Sequence, residues 1–189
     1  MKIFAVCLVI AIVVLGAHAA HAGWRLKGNE FPTQMSLSNE KLELQGIGVK
    51  TLFMMRVFMA GFYLPNPMSD QEALKDVPKH LSVRFYTAFS SGQFVSYTIG
   101  RMKANLSKVE FNAVRDRFDL MKQYFPDIKR GDEMSLTYVP GTGTIVSLNG
   151  QARGTIPGGD FGKAVFSTWI GPRPFDHIVK SQILGLNKG

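Results

Sequence analysis

The sequence predicts an α+β domain in which an antiparallel sheet is packed by helices, and three observations lead there. A long apolar segment from Gly46 to Leu64 has the character of a strand. Two segments of helical periodicity follow between residues 94 and 125, and the last third returns to strands around Asn149-Gly150 before ending in two more helices. No period of 20 to 50 residues repeats and no low-complexity linker divides the chain, so strands, helices, a meander and helices are most simply one domain.

The first 22 residues stand before that domain. Lys2 supplies a positive start, Ile3 to Leu15 an apolar stretch, and Ala17-His18-Ala19-Ala20-His21-Ala22 small residues at cleavage-site spacing, the pattern of a secretory signal peptide cut after Ala22. The apolar run is short for a span needing about 20 residues. The domain is therefore expected over residues 23–189 of a periplasmic or secreted protein. Removing residues 1–22, which hold Lys2 as their one charged side chain and Cys7 as the chain's one cysteine, leaves 167 residues and lowers the formal charge from +8 to +7. No disulfide framework is available, but a domain of this length can bury roughly 70% of its unfolded surface without one.

Phe31 to Ser38 and Leu42 to Gly48 read as paired strands, with Gly46 and Gly48 permitting a bend. In the next segment a period of two puts Leu52, Met54, Arg56, Phe58, Ala60, Phe62 and Leu64 on one face, and Phe53, Met55, Val57, Met59, Gly61 and Tyr63 on the other. Both faces are apolar, which places the strand centrally in a sheet. There Arg56 and the neighbouring Lys50 must reach water, a carboxylate or an anionic ligand. Ser69-x-x-Glu72 is a capping box opening a short helix that Pro78 closes, and Leu81 to Phe89 alternates as another strand.

Two helices come next. Val95, Ile99, Met102 and Leu106 form an apolar stripe, with Phe94, Tyr97, Thr98, Arg101 and Asn105 on a mixed face beside it. Ser107-x-x-Glu110 caps the second, in which Phe111, Val114, Phe118, Met121 and Phe125 keep helical register as far as Pro126. Met134 to Val139, Thr144 to Leu148 and Gln151 to Ile156 are then three antiparallel strands, joined at Pro140-Gly141-Thr142-Gly143 and at Asn149-Gly150. Asp160 is expected to cap a helix carrying Phe161, Val165, Phe166 and Trp169, and a last helix from Phe175 ends at Leu184-Gly185.

Most catalytic chemistries lack their residues. Beyond the leader the chain has two histidines, His80 at a strand entrance and His177 on a helix surface, and no cysteine, so zinc sites of His and Cys are set aside. No Gly-x-Ser-x-Gly turn carries a nucleophile, Gly158-Gly159-Asp160 lacks the lysine of a phosphate loop, and Asp132-Glu133 follows Gly131 in a turn. No cofactor or metal is expected. The basic side chains are scattered, which argues against nucleic acid, whereas peripheral contact with acidic headgroups stays open, as does the oligomeric state.

Gly46-Ile47-Gly48-Val49-Lys50, Val57 to Leu64, Arg130 to Leu136, the Asn149-Gly150 hairpin, Trp169-Ile170-Gly171 and Leu184-Gly185 occur in an order that resembles the chalcone isomerase superfamily, in particular its bacterial, periplasmic chalcone-isomerase-like branch. The resemblance implies an open-faced β-sandwich, a large antiparallel sheet with a layer of helices and a ligand cleft between a long strand and a helix. Plant isomerases of the superfamily line that cleft with an arginine after a Gly-x-Gly-Val run, a threonine on the long strand, and a tyrosine and an asparagine on a helix. Matched to this chain, these become Lys50, Phe58, Phe94 and Arg101. Each lost donor to a developing oxyanion costs about 2.7 to 4 kcal/mol, which argues against chalcone isomerisation here. Another branch binds fatty acids, cation on carboxylate and tail in the apolar gap. The resemblance thus implies a non-catalytic binder of a small amphipathic or aromatic ligand, with Lys50, Arg56 and Arg101 as anion partners, Phe58 and Phe94, with Met54 and Phe62, as lining, and Tyr97 as donor. The alternative is an isomerase, an intramolecular lyase of unknown substrate, using Lys50 and Tyr97. A filled core with Lys50 paired to Glu43 or another acid is the remaining structural reading.

Overall fold

In the computed structural model, which describes residues 23–26, 29–37 and 39–186, seven strands form one antiparallel sheet in chain order. These are β3 (Gln34–Leu37), β4 (Glu40–Leu52), β5 (Met55–Leu64), β6 (Lys79–Phe85), β7 (Glu133–Val139), β8 (Gly143–Leu148) and β9 (Gln151–Ile156). A separate hairpin, β1 (Gly23–Leu26) with β2 (Asn29–Pro32), precedes them. Helices α2 (Ser91–Asn105), α3 (Lys108–Ala113), α4 (Phe118–Tyr124), α5 (Gly159–Ile170) and α6 (His177–Ile183) follow the short α1 (Asp70–Ala73). The predicted α+β class, a large antiparallel sheet packed by helices, is borne out. The expected signal peptide over 1–22 lies outside the described residues.

The core lies between the sheet and the helices. Ala60, Phe62 and Leu64 of β5, Leu81, Val83 and Phe85 of β6, and Met134, Leu136 and Tyr138 of β7 are buried against Val95, Met102, Met121, Phe161, Val165, Phe166 and Trp169. The opposite face carries a polar row: Ser82 Oγ donates to Glu133 at 2.8 Å, Arg84 pairs with the same carboxylate at 2.8 Å, and His80 Nδ1 meets Thr137 Oγ1 at 2.8 Å. Phe31 covers that face at Gly61, where an added Cβ would stand 2.7 Å from its ring.

Gly46 to Leu64 is two strands, not one. The chain reverses at Phe53 (φ 46°) and Met54 (φ 64°), with Leu52 opposite Met55 as the closing pair. The apolar run concealed this turn because neither residue belongs to the Asn and Gly set that ordinarily takes two successive left-handed positions. A bulge follows: Thr51 pairs with Arg56 but Lys50 with Phe58, leaving Val57 as the extra residue. Since facing residues share a face, the bulge moves Arg56 to the side of the sheet opposite Phe58.

The helix expected over 107–125 is broken into α3, a 3₁₀ turn (Arg115–Arg117) and α4. Arg117 sits at the break, where its guanidinium donates to Asp160 at 2.6 and 2.7 Å and to the Pro157 carbonyl at 3.1 Å. Asp160 lies in the first turn of α5, where its Oδ1 also accepts from the Phe161 N–H at 2.9 Å, and the N-cap of α5 is Gly158 (φ 96°) without a side-chain bond. The boxes at Ser69/Glu72 and Ser107/Glu110 form as expected, and a third, Ser90 with Gln93, opens α2. The Asn149-Gly150 turn also forms, at φ 51° and 78°.

Candidate functional site

Two glycines of β4 position one wall of the site. Gly46 and Gly48 face the helix side, where a Cβ on Gly46 would lie 2.0 Å from the Gln182 carbonyl and one on Gly48 2.8 Å from Ile183. With no side chains in the way, α6 lies directly on the strand, and Gln182 Oε1 accepts from the Val49 N–H at 2.9 Å. The N-terminus of α6 then falls beside Lys50, the next helix-side residue of β4. Asp176 caps that helix, its Oδ1 accepting from the N–H groups of Ile178 and Val179 at 2.8 and 3.0 Å, while its Oδ2 takes Lys50 Nζ at 2.7 Å. Burial works to raise the Asp176 pKa, but Lys50 and the two N–H groups outweigh it and hold the carboxyl below its ordinary value. The sequence-level partner Glu43 is instead 3.7 Å from Lys41.

Beyond Lys50 the sheet and helices stand apart around a cavity of about 500 Å³. Its floor is Phe58 of β5 and Phe85 of β6, and its walls are Phe94 and Tyr97 of α2, Trp169 of α5, Phe89, and Phe175 before α6, with Ala88 and Gln93 at the rim. These rings meet edge to face: Phe58 on Trp169 at 5.6 Å, Phe85 on Phe94 at 6.0 Å, and Trp169 on Phe175 at 4.9 Å. Such contacts fix ring orientations without filling the space between them. A smaller gap of about 160 Å³ shares Phe58, Tyr97 and Phe175 with the cavity and is lined further by Lys50, Leu52, Val57 and Asp176. The two adjoin across these three rings as the two parts of an apolar slot, with Lys50 and Asp176 at the smaller part.

Of the residues singled out from sequence, the structure brings Lys50, Phe58, Phe94 and Tyr97 to this slot. Arg101 stands one helical turn from Tyr97 and donates to its hydroxyl at 3.1 Å, so it joins through that group. Arg56 does not join: the bulge directs it to the far face, where its guanidinium lies 4.9 Å from the Tyr86 ring centroid. Phe62 is core, buried against Phe166, and Met54 is at the hairpin tip in water. Sequence reasoning missed Trp169 and Phe175 as lining and Asp176 as the lysine's partner; the signal for Asp176 was its place as an N-cap before an apolar helix.

A larger groove of about 640 Å³ lies among α2, α3 and the 3₁₀ turn, bounded by the long side chains of Lys103, Lys108 and Arg115. Those chains keep rotamer freedom, whereas the slot is walled by rings held against each other, and the slot is the better-formed site. Among the described residues, no group of three His, Cys, Asp or Glu side chains is placed to hold a metal ion.

Comparison with known proteins agrees with this architecture. The crystal structure of a fatty-acid binding protein from Arabidopsis thaliana superposes with a TM-score of 0.61 at 18% identity, over 84% of this chain and 93% of that one. No curated protein matches the sequence. A family model described as chalcone isomerase-like matches residues 23–185, nearly the whole of the described structure, and the chain belongs to the chalcone isomerase-like family.

Proposed function

We propose that this protein is an exported, non-catalytic binder of a small amphipathic carboxylate such as a fatty acid, its tail in the aromatic slot and its head at Lys50, Tyr97 and Arg101. The observation that carries the reading is the cavity itself: about 500 Å³ lined almost wholly by rings, beside a smaller gap that Lys50 lines. That size is in the range of ligand pockets. Export rests on the leader pattern of residues 1–22, and the fatty-acid reading draws support from the Arabidopsis fold relative.

Burying about ten methylenes is worth about 8 kcal/mol gross, and a charged hydrogen bond about 1.5 to 3. Against an association cost of roughly 4 to 15 kcal/mol, the tail supplies most of the affinity and the cation sets orientation. Lys50 has three donor hydrogens and gives one to Asp176, so a carboxylate shares the ammonium with that acid. The isomerase alternative draws less support, because Phe58 and Phe94 bring only carbon to the positions where the plant enzymes carry hydrogen-bonding groups. Native mass spectrometry of the protein from its own host tests the reading. Acyl anions should co-purify, and Lys50→Ala with Arg101→Ala should lower their occupancy about tenfold, the loss of roughly one charged hydrogen bond. Unchanged occupancy in the double variant refutes the site.

A further inference from the structure

The tip of the β4–β5 hairpin presents four consecutive apolar side chains to water: Leu52 is 54% exposed, Phe53 84%, Met54 101% and Met55 69%. Single exposed hydrophobic residues are ordinary, whereas a contiguous run at the end of a hairpin marks an interaction site. The backbone there is also costly. Phe53 and Met54 both hold left-handed conformations, which residues with bulky side chains rarely adopt. The β8–β9 hairpin of this same chain turns on Asn149-Gly150, the favoured pair. Folding therefore does not account for Phe-Met at the β4–β5 turn, since neither side chain is buried and neither suits its φ.

We propose that this tip inserts into the interfacial layer of an acidic lipid bilayer and so sets the mouth of the slot against the membrane. Three placements favour lipid as the occupant. Leu52 belongs both to the tip and to the lining of the smaller gap, so the mouth and the apolar tip are at the same end of the molecule. Cations flank that end: Arg56 on the face of the hairpin away from the slot because of the bulge, and Arg101 beside Tyr97 at the mouth. Asp176, the acid lining the gap, is already neutralised by Lys50. An apolar wedge flanked by cations matches an acidic headgroup layer over acyl chains. A second copy of the chain fits less well, because stable protein interfaces use about 20 to 30 residues a side. No helix among the described residues is long and apolar enough to cross a membrane.

The docking stands whether or not the slot takes a fatty acid, and its test uses no acid. In the full chain, Phe53→Trp is compared with Val109→Trp, an 80% exposed position on α3, and each spectrum is referenced to the parent. With vesicles of equal parts phosphatidylglycerol and phosphatidylcholine carrying brominated acyl chains, the Phe53→Trp emission should move to the blue and be quenched several-fold more than that of Val109→Trp. Both effects should weaken on phosphatidylcholine alone. Phe53→Ser with Met54→Ser should weaken attachment by the tip roughly tenfold or more, as expected for withdrawing two large apolar side chains. The proposal is overturned by absent or equal quenching at the two positions, by equal quenching on neutral vesicles, or by a blue shift that grows with protein concentration without lipid, which would assign the tip to self-association.

Discussion

Asp176→Asn isolates the electrostatics of the slot, because the two carboxylate oxygens have separate partners. Oδ1 caps α6 through Ile178 and Val179, and Oδ2 holds Lys50 at 2.7 Å. Asparagine keeps the capping oxygen and is an equally good cap, but its NH₂ group turns a donor toward the ammonium, so the pair is lost. That loss costs little stability: a pair at a partly exposed site is worth about 0.2 to 1 kcal/mol, and the Lys50 side chain is 37% exposed. The effect on an anionic ligand is opposite in sign and larger. A carboxylate seated on Lys50 would lie about 5 Å from the charge of Asp176, where like charges repel by about 0.8 kcal/mol at the dielectric of water and about 3 at an effective value of 20. Partial exposure weights the first figure, giving about 1 kcal/mol, or about fivefold tighter binding in the variant. Calorimetric titration with dodecanoate and with dodecanol near neutral pH, where Asp176 is ionised, reads this directly. Only the acid should gain. An unchanged acid affinity, or an equal gain for the alcohol, refutes the placement of the headgroup at Lys50.

Gly46→Ala drives a Cβ against the Gln182 carbonyl and should cost about 1 to 3 kcal/mol by displacing α6, whereas Gly100→Ala in α2 meets nothing within 4 Å and should stabilise by roughly 0.5 to 1; urea unfolding of the two variants checks the contrast. His80 supplies a pH dependence. Burial pushes its pKa from 6.5 to about 4, so between those values the unfolded chain binds the proton and the folded one does not. Stability is then lost as pH falls through that window, by about 2 kcal/mol once partial exposure of the ring is allowed for. His80→Gln keeps a partner for Thr137 and should flatten the fall between pH 7 and pH 4; an unaltered slope in the variant would assign the acid loss to other groups.

The three-strand meander over 134–156, its Asn149-Gly150 hairpin and the capping boxes at Ser69 and Ser107 were legible because each rests on local chemistry: a turn residue that tolerates positive φ, or a side chain reaching three residues along. What failed was also local, but disguised. Leu52-Phe53-Met54-Met55 contains no turn former, so periodicity carried the strand straight through the reversal, and a one-residue bulge at Val57 then exchanged the faces of the residues on its two sides. Phe58 and Lys50 came out on the slot side because they pair across that hairpin; Arg56, assigned to the same face by a period of two, did not. The break at Arg115–Arg117 escaped notice because its cause, Asp160, is far away in the chain. Asp176 and Phe175 were invisible as site residues for the same reason, since Lys50 lies well over a hundred positions before them.

The distribution of perturbed ionisable groups bears on whether the slot does chemistry. General acid–base work needs a titratable group inside the cavity with its pKa brought near the working pH. In this fold burial does bring Lys79 down to about 8, but Lys79 is enclosed beneath Tyr138 and Phe166, with its ammonium donating to the Lys75 carbonyl. His80 and Tyr63, shifted by burial as well, lie edge to face on the far side of the sheet. At the slot the corresponding group is Asp176, held ionised by Lys50 and by two backbone donors, and so a weak base toward any substrate. The fold thus raises or lowers these buried groups where it has no room for a ligand, and at the slot it holds Asp176 as a carboxylate. That separation supports binding over catalysis, and it makes the cation a means of orienting an anion rather than of moving a proton.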